Sequence, residues 1–88
     1  RIRIIVQTFP LPTSLNDTIR KVSRESGVPL VDNEKVFDQK LAGGAAREAL
    51  FVPAGHCNAR GYGVMAANVY DAMIKAGLLR TVDDYSNK

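Results

Sequence analysis

The chain has 88 residues, 45% of them hydrophobic and 24% charged, with a formal net charge of +3. That length fits one small domain or a piece of a larger one, and that composition excludes a disordered chain. The basic residues are scattered from Arg1 to Lys88 without a basic block, and Trp is absent, which argues against a nucleic-acid binder.

The chain opens, without an initiating Met, on Ile2, Ile4, Ile5 and Val6. This β-branched run predicts a buried strand. Starting inside a strand, it reads as the later part of a longer protein. Pro10 and Pro12 end the strand and force an extended loop. A helix is expected from Thr13 or Ser14, with Ser14 and Asp17 in a capping arrangement. Leu15, Ile19 and Val22 share one face of it, and Gly27 suits its end. Residues 28–31 predict a second short strand. Asp32 and Asn33 suit the cap of a short helix carrying Val36, Phe37 and Leu41, which Gly43 and Gly44 break. Residues 45–50 predict a further turn or two. A strong helix is expected from Gly61 or Tyr62 to about Ala76. Tyr62, Met65, Ala66, Val69, Met73 and Ala76 form its core stripe. Gly77 stops it, and 80–88 form a polar tail.

Alternating strands and helices predict an α/β fold with a parallel sheet. Two parallel strands need neighbours, since such strands are buried on both faces. The missing strands are expected from a preceding segment, a second chain or a homodimer.

The lone Cys57 excludes a disulfide within the chain, and one His with one Cys is too few ligands for a metal site. Tyr62, Met65 and Met73 read as core, so no cofactor is expected. No apolar run reaches the length of a membrane span. Asn16-Asp17-Thr18 matches a glycosylation sequon but falls in a predicted first helical turn.

The run Ala54-Gly55-His56-Cys57-Asn58-Ala59-Arg60-Gly61-Tyr62 holds the only histidine, in a small-residue loop ahead of the last helix. Histidine titrates near neutrality, so a loop that aims one is a candidate general base. The alternative is a surface or capping histidine. Cys57 reads as a small buried thiol rather than a nucleophile, since adjacent side chains rarely point at each other. Asn58 is expected to bond the loop backbone, cap the last helix, or contact substrate. Arg60 reads as solvated, with contact to an anionic substrate group as the alternative. Asp32 is a cap, or a substitute carboxylate for His56.

The stretch from Phe51 through Tyr62, followed by Met65-Ala66 and Val69-Tyr70, resembles the last signature block of the SGNH (GDSL-type) hydrolases. There a D-G-H-x-N or D-x-x-H loop precedes a Gly-aromatic pair and the C-terminal helix. Residues 2–12 and 27–32 resemble the family's preceding strand and loop units. The resemblance covers about 2–79, with 80–88 as a tail. It implies a three-layer α/β/α sandwich, flavodoxin-like in its parallel sheet, of which only the C-terminal part is present. It also implies serine-esterase or acyl-transfer chemistry, often on acetyl esters of carbohydrates, with His56 as the base. Two departures stand out. The position expected to hold the catalytic Asp is Ala54 in the D-G-H register (Pro53 in the other), and an Asp-to-Ala replacement there is the favoured explanation. The Gly-Asp-Ser block and the oxyanion donors are absent. Ser14, Ser23, Ser26 and Ser86 lack that context, so the nucleophile is expected on an N-terminal part or a second chain. The rival reading is a non-catalytic binding or assembly module that has lost its acid. An unrelated flavodoxin-like fragment is a third.

Overall fold

The computed structural model describes residues 3–78. Its elements are β1 (Val6–Gln7), α1 (Ser14–Ser26), β2 (Leu30–Val31), α2 (Asn33–Ala42), a 3-10 turn (Arg47–Ala49) and α3 (Ala59–Lys75). The chain is mixed α/β. β1 and β2 pair in parallel, with Val6 opposite Leu30 and Gln7 opposite Val31. α1 is the crossover, as a parallel pair requires.

Both strands are shorter than their apolar runs predict. Ladder bonds run from Val6 N–H to Pro29 O and from Thr8 N–H to Val31 O, each near 3 Å. Ile4, expected in the core, is 58% exposed. A strand is buried only where something lies beside it, and among the described residues β1 has a neighbour on one edge alone. Ile2, Leu79 and the tail lie outside the described residues.

The helix caps mostly follow local chemistry. Thr13, not Ser14, caps α1, with its hydroxyl accepting from Leu15 N–H at 3.3 Å. Gly27 ends α1 at φ 72°, a left-handed conformation that costs glycine little. Asp32 caps α2, accepting from Lys35 N–H at 3.1 Å. α3 begins at Ala59, two residues before the earlier of its expected starts, because Asn58 caps it. Its buried face is rotated from the predicted stripe. Tyr62 is exposed and Gly61 faces inward, while Val64, Met65, Asn68, Val69 and Met73 are half-buried.

The apolar core does not lie under the sheet. Phe37, Leu50, Phe51 and Cys57 are buried together, with Leu11, Leu41, Val64 and Met65 packed against them. The Phe37 and Phe51 rings lie 5.4 Å apart and tilted by 44°. This cluster joins α2, the chain before α3, and α3 itself.

Hydrogen-bonding side chains hold the carboxyl end of the sheet. Asn16 is fully buried. Its Oδ1 accepts from Phe9 N–H, and its Nδ2 is shared among Phe9 O, Leu11 O and Glu34 Oε1. The double-proline loop is thereby fastened to α1. This burial also closes the sequon asparagine to glycosylation in the folded chain. Asn33, equally buried, donates to Gln7 Oε1 and Thr8 O and accepts from Asn68, so it ties β1, α2 and α3 together. Arg20 makes a two-pronged contact with Asp32 (3.0 Å from both Nε and Nη2) and reaches Glu34 at 2.8 Å. The guanidinium holds both carboxyls below their ordinary range and is itself held more firmly protonated.

Asn16→Ala leaves Phe9 N–H and two carbonyls without their partner in a buried setting. We expect a loss of about 3 kcal/mol, read from urea unfolding. The lowered carboxyls set the acid limb of stability. Their contribution is complete above the ordinary carboxylate range, about pH 4 to 5, and is lost as pH falls below it through the lowered values of the folded chain. Thermal unfolding between pH 7 and pH 3 should therefore fall more steeply for the native chain than for Arg20→Met, whose carboxylates titrate without that partner.

Candidate active site

The histidine loop is a three-residue β-hairpin. Phe51 and Cys57 form an antiparallel bridge. Asn58 N–H donates to Leu50 O, and Val52 N–H to His56 O, both at 2.9 Å. Between them Pro53, Ala54 and Gly55 turn the chain, with Gly55 N–H donating to Val52 O at 2.9 Å. No residue but glycine has positive φ among the described residues, so Pro53 and Ala54 form a type I turn. Gly55, at φ 95°, adds the left-handed residue that completes such a loop.

The period of two sets which side chains are available. Phe51 and Cys57 face the core, so His56 faces away from it, and it is exposed. Burial pushes the Cys57 thiol up, and Cys57 Sγ contacts Met65 Sδ at 3.7 Å. Cys57 is thus a small buried thiol, as the sequence predicts. Asn58 Oδ1 accepts from Gly61 N–H at 2.9 Å, and its Nδ2 donates to Glu48 O at 3.2 Å. Asn58 is therefore a helix cap and a loop tie. Arg60 is exposed.

The hairpin lies on the carboxyl side of the parallel pair. Asn68 of α3 bonds Asn33, just past the end of β2. Phe51 and Cys57 of the hairpin are buried with Phe37 of α2, the helix that follows β2. Leu11, from the loop after β1, packs on the cluster that contains Cys57. Ligands of open parallel sheets bind at this edge.

No acidic residue among the described residues is hydrogen-bonded to His56. Among the described residues its one hydrogen-bond contact runs from Nδ1 to Cys57 O, at a long 3.4 Å. Asp32, the alternative carboxylate, is held by Arg20, Thr8 and Lys35 N–H. Ala54 is exposed at the tip of the turn. None of the described serines is brought to the site by a hydrogen bond. Ser23 Oγ donates to Val28 O and Ser26 Oγ to Val22 O.

Two contributors to the loop escape inspection of the sequence. A Cβ on Gly61 would run into Leu50 O and crowd Cys57, so this glycine lets α3 start against the hairpin. Arg47 stacks over the Phe51 ring, 5.1 Å from its centroid. Among the described residues no group of three His, Cys, Asp or Glu side chains is placed to hold a metal, and no helix is long and apolar enough to cross a membrane. No protein-family model, curated protein or solved structure matches the chain.

Gly61→Ala must push the hairpin off α3. We expect a cost of about 3 kcal/mol in chemical unfolding, against well under 1 kcal/mol for Gly63→Ala in the open next turn, where the helix gains propensity.

Proposed function

We propose that this chain is the C-terminal part of an SGNH-type hydrolase domain, a three-layer α/β/α sandwich completed by sequence outside it. The reaction is hydrolysis or transfer of an ester-linked acyl group, with carbohydrate acetyl esters the favoured class. One observation carries the reading. The hairpin turns His56 outward on the carboxyl side of a parallel sheet, directly ahead of a helix that Asn58 caps and that Gly61 lets pack against the hairpin. That arrangement agrees with the His-x-Asn-x-x-Gly-aromatic order of the family loop.

In this reading Nε2 of His56 takes the proton of a serine hydroxyl as the serine oxygen bonds to the acyl carbon. The same proton then goes to the departing alkoxide as its bond to that carbon breaks. Water repeats the exchange to free the acid, again with His56 as base. The serine and the oxyanion donors lie on sequence outside this chain. The Cys57 carbonyl orients the imidazole only weakly, which is the task of the absent carboxylate at position 54.

A second reading is favoured by that same position. With Ala54 in place of an acid, the domain is a binding or assembly module that keeps the histidine without using it.

Fluorophosphonate labelling and ester turnover of the complete protein separate the two. Disabling the orienting carboxylate costs roughly 10⁴ in the serine-protease template, so Ala54→Asp should raise turnover by about 10² or more, and His56→Ala should remove it. If neither the native protein nor Ala54→Asp is labelled, the enzyme reading fails and the module reading stands.

A further inference from the structure

Lys40, in the last turn of α2, and Arg60, in the first turn of α3, border one open cavity of about 450 Å³. The exposed Gly43 and Ala45 edge it, and the buried Leu50 with the half-buried Val64 form its apolar floor. Among the described residues no carboxylate borders it, and neither cation makes an ion pair. Asp38 lies two residues from Lys40, a spacing that turns it to another side of α2. Glu48 borders the separate groove beside Arg47 and Phe51, and the first turn of α3 holds no acidic residue. Two like charges from different helices thus converge on one concave surface, with no counter-charge from the described residues.

We propose that this cavity binds the phosphate group of a small phosphate monoester between Lys40 and Arg60. The proposal is independent of the hydrolase reading. A phosphate monoester carries about two negative charges near neutrality, which matches two cations, whereas a carboxylate carries one. The planar fork of Arg60 can meet two phosphate oxygens at once, and Lys40 supplies a mobile point charge for a third. The volume is that of a small-molecule site and exceeds a phosphate group, so the organic part of the ester lies over Leu50 and Val64. Sequence alone presents Arg60 as solvated or as a contact to an anionic group. Its pairing with Lys40 across one cavity favours the second.

The test is a titration of the complete protein with inorganic phosphate at constant ionic strength, followed through the backbone amide signals of Gly43, Ala45 and Arg60. These should shift saturably, while those of Lys35 and Lys75, beside the groove between α2 and α3, stay in place. Lys40→Gln and Arg60→Gln, both at exposed positions, should each weaken binding about tenfold or more, and Lys35→Gln should leave it unchanged. Phenyl phosphate should bind more tightly than inorganic phosphate, because its ring covers the apolar floor. Acetate should bind about tenfold more weakly, with one charge against two. A shift that never saturates, or that persists in Lys40→Gln and Arg60→Gln, overturns the site. Equal binding of acetate overturns phosphate as its ligand. None of these outcomes bears on fluorophosphonate labelling, so the site and the hydrolase reading fail separately.

Discussion

The parallel pair survives with two residues per strand because buried amides hold its carboxyl end. A ladder this short fixes little by itself. Asn33 reaches Gln7, Thr8 and Asn68 from one position, and so sets the register of β1 against α2 and of α2 against α3. Asn16 does the same for the loop after β1. A buried amide is costly unless its donors and acceptors are met, and here no buried side-chain polar atom among the described residues lacks a partner. A misregistered sheet would strand several of these groups at once. The network therefore contributes specificity beyond the strength of its individual bonds.

The Arg20 cluster extends the same device to charge. Its carboxylates come from opposite sides of the α2 cap, Asp32 as the capping residue and Glu34 in the first turn. Both favour a helix N-terminus on their own account. Arg20 then joins that cap to α1, which makes the cap of one helix a tether for another. The double-proline loop is caught between them, and its Leu11 is delivered to the aromatic cluster beneath the hairpin. The path from sheet to histidine thus runs from Asn16 through Leu11 to Phe51 and Cys57.

Local signals in the sequence report local structure well. Gly27, Asp32, the Gly43-Gly44 break and the parallel α/β alternation are all legible, because each is a matter of backbone conformation or of one cap. Where the reading departs, the cause is tertiary. Apolar β-branched residues mark a strand that ought to be buried, and they cannot say whether a neighbour covers it. Ile4 is the result. Hydropathy predicts Tyr62 inward, yet the inward position belongs to Gly61, whose lack of a side chain is its function and which a hydrophobic pattern does not register. Asparagines carry no periodic signal, so the sequence presents Asn16 and Asn33 only as a sequon and a cap. The site shows the same division. The outward His56, the buried Cys57 and the capping Asn58 follow from alternation and cap chemistry, whereas the long Nδ1 contact to Cys57 O and the occupation of Asp32 by Arg20 depend on packing.

Between Leu50 and Asn58 nearly every position has a structural duty. Leu50, Phe51 and Cys57 fill the core; Val52 closes the hairpin through its backbone; Pro53 and Gly55 shape the turn; Asn58 caps α3. Ala54 and His56 are the exceptions, both exposed, with no side-chain role in packing or capping. A short polar side chain at position 54 would alter no buried contact, and removal of the imidazole at 56 would leave the hairpin's backbone bonds in place. Side chains that a fold does not require are the ones left to chemistry. In this loop they are the two positions that the hydrolase reading assigns to acid and base.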